Sequence, residues 1–204
     1  LAQGHHQRNV GALLLVTSSD WNPMTILDVR RHTMRRKPGA HLSREGIELA
    51  RFVAQGADSY ELVVTSEIPR AIETAIAMGF EVNELIAELG ILPKNILETI
   101  SWPSPLAEVE RVLRSDVDCI AFANTQVRLW TSIAARVPNE ATGLLVTHGG
   151  IIDLGVVAFL MASKRPIEGE AIGYCEGLRL EFTSGRLTNA EMLRVPEHLH
   201  LSDT

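Results

Sequence analysis

Thr25-Ile26-Leu27-Asp28-Val29 is a short, β-branched, mostly apolar run that stops at Arg30-Arg31-His32-Thr33. A run of that length, bounded by turn chemistry, reads as a buried strand. Met34-Arg35-Arg36-Lys37-Pro38-Gly39 then has loop chemistry, and Leu42-Ser43-Arg44-Glu45-Gly46 opens a helix with Ser43 as its N-cap. Strand, loop and helix in that order suit an open α/β sheet, in which ligands bind just beyond the carboxyl ends of strands. His32, flanked by guanidinium groups at such an end, is placed to meet an anion.

The remaining chain continues the alternation. A helix from about Arg44 to Gln55 presents Ile47, Ala50, Val53 and Ala54 on one face and ends at Gly56. Tyr60 to Thr65 reads as a second buried strand. Ser66-Glu67-Ile68-Pro69-Arg70 turns into a helix whose first turn tolerates Pro69. That helix has Ala71, Ile72, Ala75 and Ile76 as its apolar side, with Arg70 and Thr74 on a different face. A second arginine therefore stands where a strand hands over to a helix.

Val82, Leu85, Ile86 and Leu89 are spaced as an amphipathic helix. Leu97 to Ala123 is broken by Ser101-Trp102-Pro103-Ser104-Pro105, which suggests a loop over the site, of the kind that carries specificity. Val127 to Val137 reads as helix, Gly143 to Thr147 as strand, and Ile151 to Met161 as an almost wholly apolar buried helix. Ala171 to Phe182 forms a strand that turns at Ser184-Gly185 and returns as Leu187 to Val195. The expected architecture is a three-layer α/β/α sandwich, with a mainly parallel central sheet and an antiparallel edge.

Bulk properties narrow the function classes. A net charge of −6 leaves no electrostatic footprint for nucleic acid, so none is expected as a partner. The apolar run Val10 to Val16 is far too short to span a bilayer, so no membrane partner is expected either. Arg8 precedes that run as in a secretory signal, but the small-residue cleavage pattern is poor. Residues 1–23 are read as an N-terminal extension ahead of one domain over 24–204. Cys119 and Cys175 lack metal-ligand spacing and read as buried thiols, which fits a cytoplasmic location.

Four pieces of the chain, in order, resemble the histidine phosphatase (phosphoglycerate mutase-like) superfamily. They are Arg31-His32, Leu42-Ser43-x-x-Gly46, Ser66-x-x-x-Arg70-Ala71-x-x-Thr74-Ala75, and Val146-Thr147-His148-Gly149-Gly150. The resemblance spans most of Met24 to Arg194 and is weak between about Phe80 and Val137. It implies a metal-independent phosphatase, without cofactor, acting on a small phosphomonoester or a phosphoprotein through a phosphohistidine. His32 would be the nucleophile, Arg31 and Arg70 the phosphate clamps, and His148 a further phosphate ligand. Thr33, Gly149 and Arg36 are candidate substrate contacts, Arg36 for the anionic remainder of the substrate.

The chemistry suits these residue types. A neutral imidazole can attack phosphorus and divide a very slow hydrolysis into two steps. Guanidinium groups grip nonbridging oxygens bidentately, and lysine cannot. The general acid is less distinct. Glu81, Glu84 and Glu88 are candidates, and Leu85-Ile86-Ala87-Glu88 loosely resembles the family's Leu-x-Glu pattern, so Glu88 is selected. The same three glutamates would also form the solvated face of a helix. Gly149 occupies the place where another branch of the superfamily has an aspartate. Thr33 replaces the usual glycine after the histidine, which would tighten the loop and crowd the pocket. The asparagine and Gly-Trp stretch of mutases are absent. These departures favour a phosphatase over a mutase-type phosphotransferase, and leave a non-catalytic phosphate-binding module as the rival class.

Overall fold

The computed structural model describes residues 24–57 and 59–202. The expected extension over residues 1–23 lies outside the described residues. Six strands form one sheet: β1 (Met24–Arg31), β2 (Tyr60–Thr65), β3 (Glu84–Leu85), β4 (Thr142–Thr147), β5 (Gly177–Thr183) and β6 (Arg186–Leu193). Their order across the sheet is β3-β2-β4-β1-β5-β6. The first four run parallel, while β5 pairs antiparallel with both β1 and β6. Among the described residues the α-helices are α1 (Arg44–Ala54), α2 (Pro69–Ala77), α3 (Lys94–Thr99), α4 (Leu106–Ser115), α5 (Val117–Ala134) and α6 (Ile151–Ala162).

Side-chain alternation along the central strands divides the core in two. Leu27, Val29, Val64 and Leu145 face one layer, which α4, α5 and α6 fill with Leu106, Val109, Trp130, Ile152 and Phe159. Val63, Leu144 and Val146 face the other, where α1 and α2 supply Leu49, Ala50, Ala71 and Ala75. The three-layer α/β/α sandwich with its antiparallel edge is thus present. Helix α6 is buried along most of its length and has Gly155 against the Trp130 ring, so its mean apolarity is explained by enclosure on all sides. Both cysteines are free and buried. Among the described residues no helix is long and apolar enough to cross a membrane.

Two local expectations, on residues 82–89 and on the face of α2, are corrected. The stretch around Val82 to Leu89 is no amphipathic helix: it is the short strand β3 followed by a 3₁₀ turn at Ala87–Leu89. The open edge of β2 captures it, with Asn83 N–H donating to Val63 O, Ile86 N–H to Thr65 O, and Asn83 Oδ1 accepting from Val63 N. Those bonds satisfy backbone groups that a helix would otherwise pair within itself. The loop expected at Ser101–Pro105 is present and brings Trp102 and Pro103 to the cavity at the sheet's end, while the rest of Leu97 to Ala123 is mostly helical. In α2, Thr74 is buried with Ala71 and Ala75, whereas Ile76 is 59% exposed. The Thr74 hydroxyl escapes the cost of burial by donating to Arg70 O and accepting from Thr33 N.

Candidate active site

The parallel register brings the strand ends together. Arg31 lies opposite Thr147 in the β1–β4 pair, and Thr65 lies opposite Val146 in the β2–β4 pair. His32, Ser66 and His148 therefore leave three adjacent strands side by side. His32 N–H extends the ladder by donating to Thr147 O at 2.8 Å, and Ser66 N–H donates to Val146 O at 3.3 Å. A cavity of about 840 Å³ opens there, walled by Arg31, His32, Arg35, Arg70, His148 and Gly149, among others. Helices α2 and α6 begin at this end of the sheet, so the positive ends of two helices face the same region.

His32 is 6% exposed, and its ring is held at both nitrogens. Nδ1 lies 2.6 Å from Thr33 O, a carbonyl that can only accept, so Nδ1 carries the proton. Nε2 then has a lone pair, and Arg70 Nε donates to it at 2.9 Å. Burial drives the His32 pKa well below its ordinary value, helped by His148 and by the charges of Arg70 and Arg31. The imidazole is thus neutral with one nitrogen available, as nucleophilic attack requires.

Arg31 lies with its guanidinium 4.3 Å from the centroid of the Tyr174 ring. Its Nη1 donates to Ile172 O at 2.7 Å, while Nε is buried without a partner. Gly149 lets this happen, because a Cβ there would sit 3.2 Å from the Arg31 guanidinium carbon. Gly150 has φ +78°, a conformation natural to glycine, and it starts α6. Its N–H donates to Asp153 Oδ2, while Asp153 Oδ1 accepts from Ile172 N, both at 2.8 Å. Asp153 so ties the start of α6 to the segment whose carbonyl holds Arg31. Burial pushes the Asp153 carboxyl up, against the opposing pull of those N–H groups and of Arg31.

His148 stands with its ring centroid 4.8 Å from that of His32. Its Nε2 lies 2.6 Å from Ser66 Oγ. Ser66 Oγ also accepts from Ile68 N at 3.3 Å and keeps its own proton, which it can give to His148 Nε2. With that bond made, the imidazole proton sits on Nδ1, an atom that is buried and unpartnered. Burial, then the charges of Arg70 and Arg31, bring the His148 pKa down to about 3. A neutral ring in this tautomer offers an N–H to an anion.

The structure brings His32, Arg31, Arg70, His148 and Gly149 to one cavity. It does not bring the other candidates there. Glu88 is exposed on the 3₁₀ turn and lies outside the cavity wall. Glu81 is also exposed, and Glu84 is ion-paired with Arg136. Arg36 points to solvent, and Arg35 lines the cavity in its place. The Arg35–Leu42 bridge and the bonds from Arg35 to Pro38 O and Gly39 O fix that choice. Thr33 does not crowd the pocket: fully buried, it donates through Oγ1 to Gly46 O, behind the cavity.

Sequence reasoning passed over Asp153, Tyr174 and a role for Ser66. Asp153 had a signal, being the one charged residue inside the apolar Ile151–Met161 run. Tyr174 had none, because only folding brings β5's approach segment under Arg31. Among the described residues, no cluster of His, Cys, Asp and Glu could hold a metal ion.

The fold is shared with solved structures that include proteins named as phosphatases. The chain aligns with Bacillus stearothermophilus YhfR at TM-score 0.54 and 16% identity, over 80% of this chain and 94% of that one. It aligns with the phosphoserine phosphatase of Entamoeba histolytica at TM-score 0.53 and 16% identity, covering 86% and 99%. A putative α-ribazole-5′-P phosphatase from Escherichia coli follows at TM-score 0.51 and 17% identity, covering 84% and 96%. No family model matches the sequence, and no curated protein matches it.

Proposed function

We propose that this protein is a phosphatase that hydrolyses a phosphomonoester through a phosphohistidine on His32, with no metal ion taking part. The observation that carries this reading is the paired hydrogen bonding of the His32 ring, Nδ1–H to Thr33 O and Nε2 toward Arg70. Solved structures with the same fold include proteins named as phosphatases, which supports the same class of reaction.

In the first step His32 Nε2 attacks phosphorus and the bond to the leaving oxygen breaks. Arg70 turns its N–H from Nε2 to the phosphoryl oxygens, and Arg31 and His148 Nδ1–H bind the others. Fixed positive charge then faces the charge on the equatorial oxygens of the transition state. The Nδ1–H bond to Thr33 O persists and supports the positive charge that the ring acquires. In the second step water attacks phosphorus, the P–N bond breaks, and Nε2 recovers its lone pair. One water proton stays on the released phosphate oxygen and the other passes to solvent or to the departed anion.

Rapid quench with labelled ester, followed by peptide mapping at alkaline pH, tests the reading. The label should be acid-labile, base-stable and confined to His32, and it should vanish in His32→Ala. Full activity in His32→Ala, or label on another residue, would overturn it. The exposed Glu88 favours one rival, a phosphate-binding module without turnover, which the same experiment would reveal as binding without label.

A further inference from the structure

Among the described residues, the cavity wall is rich in groups that hold a phosphoryl anion and, beyond the weakly acidic hydroxyls of Tyr174 and Ser202, carries one carboxyl that could protonate what leaves it. Three guanidiniums line it, from Arg31, Arg35 and Arg70, along with two imidazoles that are neutral. Among the described residues lining it, the single carboxyl is Asp153. That group is 2% exposed, and each of its oxygens accepts a backbone N–H at 2.8 Å. Its two bonds anchor the start of α6 and the Arg31 carbonyl partner, so delivering a proton to a departing oxygen would dismantle the clamp. The glutamates between β2 and α3 are absent from the cavity wall: Glu67, Glu81 and Glu88 are exposed, Glu73 is bonded to His41 and to Leu42 N–H, and Glu84 is paired with Arg136. In their place the wall carries Leu92, Leu97, Trp102 and Pro103.

From this arrangement we infer that the substrate is a phosphoryl donor whose leaving oxygen departs as a stable anion from an apolar or aromatic body, an aryl or acyl phosphate. The inference rests on the phosphatase reading above and narrows its substrate class. When His32 Nε2 bonds to phosphorus, the electron pair of the breaking P–O bond goes to the leaving oxygen, which exits unprotonated. In a loose transition state that oxygen already bears most of its charge, so its proton affinity sets the rate when no acid assists. A positioned acid is worth ~10²–10⁴-fold in such a step, and esters of alcohols forfeit that factor here. The apolar wall suits the body of the leaving group, since Trp102 and Leu92 both approach the Gly150 corner beside the phosphate site.

The test is a series of monoesters on the full chain: para-nitrophenyl, phenyl and benzyl phosphate, with acetyl phosphate as the small acyl case. Phenyl and benzyl esters present similar apolar bodies but very different leaving oxygens, which separates fit from chemistry. The expected result is a steep order, with kcat/KM for para-nitrophenyl phosphate at least ~10²-fold above that for benzyl phosphate. A smaller ratio means that a proton donor reaches the leaving oxygen, whichever residue supplies it, and overturns the inference while leaving the phosphatase intact. Absence of turnover on every ester, with no label on His32, removes the phosphatase reading and this inference together. Asp153→Asn should slow all esters by a similar factor, as loss of a positioning group does. A selective loss on benzyl phosphate would make Asp153 the acid and overturn the inference.

Discussion

Arg70 Nε donates to His32 Nε2 at 2.9 Å, so the arginine occupies the lone pair that must attack phosphorus. The free site is held ready rather than open. An incoming phosphoryl group has to take Arg70 from the imidazole, and its negative charge is what makes that exchange favourable. Replacing Arg70 with Lys keeps a charge but loses the planar fork. Charge-assisted bonds are worth about 1.5–3 kcal/mol each, so kcat/KM should fall at least tenfold in Arg70→Lys while circular dichroism is unchanged. An unaltered kcat/KM would remove Arg70 from the site.

Ser66 controls the other imidazole. With alanine there, His148 Nε2 loses its hydroxyl partner and the ring is free to place its proton on either nitrogen. Leaving that buried nitrogen unpaired costs about 1–3 kcal/mol of folded-state stability, so Tm should fall in Ser66→Ala. The ¹⁵N shifts of His148 should report a single tautomer in the parent chain and a mixture in Ser66→Ala. A single, unchanged tautomer in the variant would show that Ser66 does not set it.

Acid should weaken the fold through the same two rings. The unfolded chain protonates His148 near its ordinary 6.5, whereas the folded chain resists until about 3. Between those values the unfolded state holds more protons, so stability is lost as pH falls through that window. His32, also lowered, acts in the same direction. Thermal melts from about pH 7 to about pH 4 should show a falling Tm. His148→Gln should give a shallower slope, and an identical slope would mean that His148 is not resisting protonation. In kinetics, log kcat/KM should show no enzyme limb near 6.5, because the nucleophile is neutral on both sides of it.

Gly155 makes a prediction independent of chemistry. A Cβ at that position would lie 2.2 Å from Cη2 of Trp130, which is fully buried between α5 and α6. Alanine in a helix is favoured over glycine by roughly 0.5–1 kcal/mol, but overpacking of this kind costs about 1–3 kcal/mol. Gly155→Ala should therefore lower Tm, by about 2–4 °C for each net kcal/mol. A raised Tm would show that Trp130 can move aside.

Much of this site was legible in the chain. The apolar runs that end at Arg31-His32, Ser66 and His148 mark strand ends, because a buried strand needs β-branched and apolar residues and a binding loop does not. Pro69 at the first turn of α2 and Ser43 at the cap of α1 fixed where helices begin, since those positions are governed by local backbone chemistry. The glutamate assignment was not legible in the same way. Residues 82–89 have a helical spacing, yet the free edge of β2 offered backbone partners from a distant part of the chain, and pairing there turned Glu88 outward. The choice of Arg35 over Arg36 likewise depended on a bridge to Leu42 across the loop. Tyr174 beneath Arg31, and Asp153 joining α6 to Ile172, exist only once β5 is laid antiparallel on β1. Sequence determined what each segment could bury locally; tertiary structure decided which polar groups met, because their partners lie up to 151 residues away along the chain and nothing local selects them.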